Sequence, residues 1–282
     1  MATDNLGEWI GKTESRSDVV TSTPIAALSA TLDRDDPYPQ AGDTIPSLWH
    51  YLYFLPINRQ SEIGADGIVE RGVFLPPVPL PRRMFGGSRQ EFHHPLHVGD
   101  RISRVSKIVE VNQKQGRSGQ LVFVLVRHEI SNGQGIAVTE EQDVIYRENP
   151  KPNDVVPAPQ KAPENADWVR EIRTDEVMLF RYSALTFNGH RIHYDFPYAN
   201  KVEGYSQLLV HGSFIAVMLH DLLRRSLPNA TLARFSSRSV RPLLNRVPFS
   251  LCGRVESDGK TVKLWAADAD GYLATDASAT LA

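Results

Sequence analysis

The apolar positions of this chain change period three times. Early on they recur at helical spacing. Asp4 to Arg16 reads as a helix anchored by Trp9 and Ile10, and Pro24 to Asp33 (PIAALSATLD) as a second with proline at its start. Turn chemistry follows in DDPYPQAG, Asp35 to Gly42. In IPSLWHYLYFLP the apolar residues Leu48, Trp49, Tyr51, Leu52, Phe54 and Leu55 cover most of a helix circumference, which predicts a buried helix. Asn58 to Pro81 is rich in Gly and Pro and reads as a long irregular loop, a type that often carries function. Alternation then takes over in EFHHPLHV, RISRVSKIVEV, LVFVLVRHEI and IAVTEEQDVIYRE, which predict strands. In the third of these Val122, Val124 and Val126 alternate with Phe123 and Leu125, so that strand is expected to be covered on both faces.

Five prolines between Pro150 and Asp167 mark an extended linker. Beyond it, Phe180 to Gly212 gathers Asn188, His190, Arg191, His193, Tyr194 and Asp195 ahead of an apolar run, SFIAVMLHDLL. That run predicts a helix, Ser213 to Arg225, ended by Leu227-Pro228-Asn229. Strands return in RFSSRSVRPLL, PFSLCGRVES, TVKLWAADA and YLATDASATLA, with Asp258-Gly259 and Asp270-Gly271 as turns. Both halves therefore run helix, bent first strand, hairpin-linked meander. The pattern supports an α+β fold with an internal duplication. The divisions are 1–149, a linker at 150–168, and 169–282.

Composition narrows the function classes. The 282 residues are 41% hydrophobic and 23% charged, with a net charge of -2. That balance gives no electrostatic case for nucleic acid. The single cysteine, Cys252, excludes an internal disulfide and a multi-cysteine metal site, and its alternating setting makes it a core residue. No apolar run approaches the ~18 residues of a membrane span. The acidic, polar start is no secretory signal, so a cytoplasmic location is expected.

The polar segment has the layout of a catalytic site laid over the start of a buried helix. His193 and Asp195 bracket one residue, and Asn188 lies five before His193. His211-Gly212 falls where backbone N–H groups of a helix start are free to hold an oxyanion. The segment resembles that of the MaoC-like (R)-specific enoyl-CoA hydratases, whose pattern is S-G-D-x-N-P-L-H-x-D, an aromatic-Ala pair, then H-G. Here it runs from Thr186 to Asp195, then Tyr198-Ala199, then His211-Gly212. Asn188 stands in place of the family's Asp, and His190 and Arg191 in place of Asn-Pro. With PLPRRMFGGSRQEF and WHYLYFLP, the variant resembles the subgroup of mesaconyl-CoA and itaconyl-CoA hydratases and 3-hydroxyacyl-thioester dehydratases.

The resemblance implies a double hot-dog fold and a hydro-lyase without a cofactor. It implies an acyl-CoA or acyl carrier protein thioester as substrate, and a homo-oligomer is expected. Hydration needs acid/base groups and preorganised donors for a thioester oxyanion. His193 is the base, since imidazole titrates near neutrality. Asn188 can hold water but cannot take its proton. Either His193 handles both transfers, or Asp195, His190 or Glu91 supplies the missing group, although Asp195 could instead cap the turn at Phe196-Pro197. Gly212 is the oxyanion donor, or it lets helix and sheet approach closely. Tyr182 and Tyr205 read as packing residues. Arg191 could clamp a substrate carboxylate or form a surface salt bridge. His190, His211 and Asp195 complete the substrate-binding set. Arg82-Arg83, Arg238 and Arg241 could neutralise coenzyme A phosphates. His190-x-x-His193 has no third ligand at suitable spacing, so no metal is expected. A fatty-acyl dehydratase, a thioesterase on the same fold, and a non-catalytic acyl-thioester binder are the alternatives.

Overall fold

The computed structural model describes residues 5–116, 119–149 and 158–282. Its strands are β1 (Thr13–Val19), β2 (Arg82–Phe92), β3 (Arg101–Gly116), β4 (Gly119–Asn132), β5 (Gly135–Arg147), β6 (Trp168–Ile172), β7 (Leu232–Ser239), β8 (Phe249–Val255), β9 (Thr261–Ala267) and β10 (Leu273–Leu281). Its helices are α1 (Ser22–Thr31), α2 (Glu176–Thr186), α3 (Phe196–Lys201) and α4 (Gly212–Ser226). One antiparallel sheet takes in all ten strands, in the order β1-β3-β4-β5-β2-β7-β10-β9-β8-β6.

Read outward from the central β2–β7 seam, the two halves have the same order: second-half strands β7, β10, β9, β8, β6 repeat first-half strands β2, β5, β4, β3, β1. This is the internal duplication expected from the chain's pattern. The seam needs glycine at Gly87, which has φ +145 and lies against the Ser237 carbonyl so closely that a Cβ would collide with it. A bulge at Phe85/Gly87 shifts the β2–β5 register there.

The second half is filled by α4. Every residue from Phe214 to Leu223 is buried, and the helix packs on β2, β6, β8, β9 and β10. Its one buried acid, Asp221, is met by three guanidinium groups, from Arg34, Arg170 and Arg225, at 2.8, 2.9 and 2.7 Å. Among the described residues no such helix fills the first half. At one end of its inner face Ile102, Ile130 and Val138 join the core of α1 and Trp49. At the other end Ile108, Val122, Val124 and Val126 pack against Leu6, Val78 and Leu80.

Several expected elements differ. The first helix is a short 3-10 turn, Leu6–Trp9, followed by β1, whose alternating burial pairs it with the edge of β3. Gly7 and Gly11 weaken any helix there. The buried helix of IPSLWHYLYFLP is only a 3-10 turn, Trp49–Leu52, between the left-handed residues Leu48 and Phe54. Apolarity all round reported burial and not helicity, for Leu48, Trp49, Leu52 and Phe54 are all buried. The strand placed in EFHHPLHV lies mostly earlier, as β2, and the chain leaves the sheet after Phe92. In β4 one face is fully buried, while Phe123 and Leu125 are only half-buried. Helices α2 and α3 and strand β6 were not anticipated, although Asp175 caps α2 through Met178 N at 2.8 Å. Of the linker, residues 150–157 lie outside the described residues.

Candidate active site

The N-terminus of α4, the end of α2 and the segment 187–194 converge on a cavity of about 1520 Å³. The loop 58–75 and strands β2 to β5 form its other walls. Gly212 opens α4. A Cβ on it would stand 2.8 Å from Phe85 Cδ1, so close approach of helix and sheet requires glycine here. The same position leaves the Gly212 N–H at the first turn of a fifteen-residue helix, on the cavity wall. First-turn N–H groups have no partner within the helix and sit at its positive end. The two readings of Gly212 are therefore compatible.

Five histidines line the cavity, three of them, His190, His193 and His211, from the polar segment. His193 is buried, and its Nδ1 lies 2.8 Å from the Leu209 carbonyl oxygen. A carbonyl only accepts, so Nδ1 carries the proton and Nε2 keeps its lone pair. The His211 ring stacks on His193 with centroids 3.6 Å apart, and its Nε2 lies 2.8 Å from Ser183 Oγ. His190 meets His193 edge-on at 5.5 Å. Burial holds all three neutral. It pulls His193 down to about 3, with the charge of His190 adding to the effect. It pulls His190 down to about 4, with Arg83 adding, and drives His211 well below the ordinary value. Tyr182 stacks on Phe214 and donates to Ser213 Oγ at 3.1 Å, a packing and bracing role.

Asn188 lies on the cavity wall, where its Oδ1 accepts from His190 N at 3.0 Å. This turn contact spends the oxygen and leaves the Nδ2 donors for the cavity. Asp195 is not on the wall. It caps α3 by accepting from Tyr198 N at 3.1 Å. It also binds Arg191, whose Nε and Nη2 lie 2.9 and 2.7 Å from Asp195 Oδ2. Arg191 Nη1 donates to the Ala65 carbonyl at 2.9 Å, and the guanidinium covers Tyr198 at 4.3 Å. Arg191 was expected either to clamp a substrate carboxylate or to form a salt bridge, and the structure shows the salt bridge. Its partner carboxylate lies one helical turn away, and the pair fastens the loop 64–68 over the site. Glu91 pairs with Arg234 at 3.0 Å and is absent from the cavity wall. Arg82 is buried against Glu203, 3.3 Å away, Arg241 pairs with Asp268 at 2.9 Å, and Arg238 is off the wall beside Asp276.

Sequence reasoning missed the floor of the cavity, where His128 and Glu140 reach the wall. Ser106, His128, Glu140 and Gln90 are register neighbours on β3, β4, β5 and β2. They make a polar row across one sheet face, beside Ser88 and Gln142. Glu140 is buried with Oε1 accepting from Tyr51 OH at 2.7 Å and Gln90 Nε2 at 3.1 Å, and Oε2 lies 3.2 Å from His50 Nε2. Although burial opposes ionisation, these partners hold its carboxyl at about 2. His128 Nδ1 lies 2.8 Å from Ser106 Oγ, and burial pulls its imidazole down to about 4. The signal was in the sequence: His128 follows Val122, Val124 and Val126 on the buried phase of its strand, and Glu140 follows Val138. A polar residue on an apolar phase marks a cavity or a buried network.

The geometry agrees with relationships found across known proteins. Residues 48–245 match the family described as hydroxyacyl-thioester dehydratase type 2. The chain belongs to that family. A relative from Chloroflexus aurantiacus, mesaconyl-C(4)-CoA hydratase, is 43% identical over 97% of this chain and 96% of its own length. The mitochondrial hydroxyacyl-thioester dehydratase type 2 of Schizosaccharomyces pombe is 25% identical over 83% and 88%. A MaoC-like dehydratase from Phytophthora capsici superposes with a TM-score of 0.71 over 100% of this chain and 99% of its own, at 16% identity. The fold is thus the α+β hot-dog of MaoC-like dehydratases, and the chain is a hydratase/dehydratase. No helix among the described residues is long and apolar enough to cross a membrane.

Proposed function

We propose that this family member hydrates a short dicarboxylyl-CoA thioester of the mesaconyl-C4 type. The neutral His193, with its lone pair on Nε2 at the cavity wall, is the observation that carries the chemistry. Nε2 takes a proton from water as its oxygen bonds to the β-carbon, and negative charge moves to the thioester oxygen. The Gly212 N–H at the head of α4 is the donor placed for that oxyanion. The proton held on His193 then passes to the α-carbon, so one imidazole serves both transfers. Asn188 Nδ2 orients the water and His211 keeps the His193 ring in plane. This division removes the need for a carboxylate at position 188.

His128 and Glu140 on the cavity wall favour a short, polar acyl group over a long aliphatic chain. The identity to the Chloroflexus hydratase supports the same class of substrate. We read residues 1–149 and 169–282 as the two repeats and 150–168 as the linker between them, supported by the matching strand order on either side of the seam.

The test is incubation of purified protein with mesaconyl-C4-CoA and with crotonyl-CoA. The expected result is loss of the enoyl-thioester absorbance, faster with mesaconyl-C4-CoA, and a product heavier by one water. Release of free thiol would indicate a thioesterase. Binding without turnover of either substrate would indicate a non-catalytic binder.

A further inference from the structure

The cavity holds a cation that the protein itself leaves without a counter-ion. Arg83 lies on β2 opposite Tyr146 of β5, half-buried on the cavity wall. Its Nη2 is buried with no acceptor, and the Tyr146 hydroxyl across the strand pair is likewise buried without a partner. Among the described residues no carboxylate stands within ion-pair distance of it. The neighbouring arginines differ. Arg82 and Arg191 are held by Glu203 and Asp195. Arg104 lies 3.9 Å from Glu14, although its Nε is also buried without an acceptor. Arg147 also has no carboxylate partner among the described residues, but it leaves no buried nitrogen unsatisfied.

A buried donor without an acceptor is costly unless something else supplies one. Position decides what that is. In a mesaconyl-C4 thioester the free carboxylate is attached to the β-carbon, the atom that water attacks. Its counter-ion must therefore stand beside the base and not at the distant end of the cavity. Arg83 meets this condition: its charge is felt by His190, whose ring lies edge-on to His193 at 5.5 Å.

We propose that Arg83 binds the free carboxylate of the acyl group and thereby selects dicarboxylyl over simple enoyl thioesters. The proposal rests on the hydratase reading above. The unpaired Nη2 and a second guanidinium nitrogen donate to the two carboxylate oxygens. Neutralising that anion also removes its repulsion of the incoming water oxygen at the adjacent carbon. The role that the sequence suggested for Arg191 thus falls to a residue 108 positions earlier in the chain.

The test compares Arg83→Leu and Arg83→Gln with the unaltered protein, using kcat/KM on mesaconyl-C4-CoA and crotonyl-CoA. Loss of two charge-assisted hydrogen bonds corresponds to a fall of about 10²-fold on mesaconyl-C4-CoA. The loss on crotonyl-CoA is expected to be at least about tenfold smaller, so the ratio collapses. Equal losses on both substrates would make Arg83 a structural residue and overturn the proposal, as would an unchanged ratio. Gln keeps a polar side chain opposite Tyr146, so it answers the question should the Leu variant fail to fold. Inactivity of the unaltered protein on mesaconyl-C4-CoA would instead overturn the functional reading itself. Activity there with a ratio unmoved by Arg83→Gln would overturn the anchor alone.

Discussion

The two repeats share a strand order but fill their inner faces differently. In the second half a fifteen-residue helix with ten consecutive buried residues occupies the sheet, and its N-terminus points at the histidines. In the first half no helix among the described residues lies there. Loops close one end, α1 and Trp49 close the other, and between them runs the row Ser106–His128–Glu140–Gln90. Duplication of a fold therefore did not duplicate its chemistry. One copy has the helix whose N-terminus lies on the cavity wall. The other has the cavity where that helix would lie. A buried helix and a substrate cavity are alternative uses of the same space.

This contrast assigns chemistry to the second half and shape and stability to the first, and it can be broken. The largest effect should come from His193→Ala, which removes the base. Turnover is expected to fall by at least ~10²-fold in a variant that still folds. Near-normal turnover in the folded variant would move the base to His190. Glu140→Ala should do the reverse. It strands His50, Tyr51 and Gln90 without their acceptor. Such a break in a buried charged network costs about 3–5 kcal/mol, readable by urea denaturation. A large drop in turnover at full stability would place catalysis in the first half and end the contrast.

Acidification sharpens it further. His128 and His190 are pulled down to about 4, and His193 and His220 to about 3, in each case first by burial. In the unfolded chain they take up protons near 6.5, so below that pH the unfolded state binds more protons than the folded one. Their contribution is full above pH 6.5 and is lost as pH falls toward 4. Between pH 7 and 5 each costs about 1–2 kcal/mol of stability. His128→Leu should reduce this loss by one share, measured as the slope of the thermal midpoint against pH. An unaltered slope would mean that His128 is protonated in the folded protein.

The smallest effect is expected from Asn188→Asp. A new anion on the wall raises the His193 pKa. The acid limb of the kcat/KM profile should move up by about one unit, since a nearby opposite charge typically shifts a pKa by that much or more. Superimposable profiles would put Asn188 outside the electrostatic reach of the base.

The polar segment was legible because its chemistry is local. His190, His193, His211 and Gly212 do line one cavity, and α4 begins within one residue of its expected start. What failed there failed for a reason of pairing. Arg191 and Asp195 each have a credible role taken singly. Four residues apart, with a short turn between, they satisfy each other and fasten the loop above. Asp195 had been allowed a capping role from its place before Phe196-Pro197, and that is the role it has. The missed floor is a different case. Its residues come from four strands and the 3-10 turn, and their meeting depends on register, which alternation alone does not reveal.

The sequence by itself determined the period of most strands, the buried helix, the duplication and the histidines beside that helix. These follow from nearest-neighbour spacing along the chain, where side-chain direction repeats every two residues in strands and every 3.6 in helices. It also determined that Leu48 to Phe54 would be buried, but not in what conformation. The tertiary structure decided what fills the first half and which arginines of the cavity are spent on protein carboxylates. Those outcomes depend on groups far apart in the chain, such as Arg82 with Glu203 and His128 with Glu140. Whether a charge is free is settled only when every partner that could reach it has been placed.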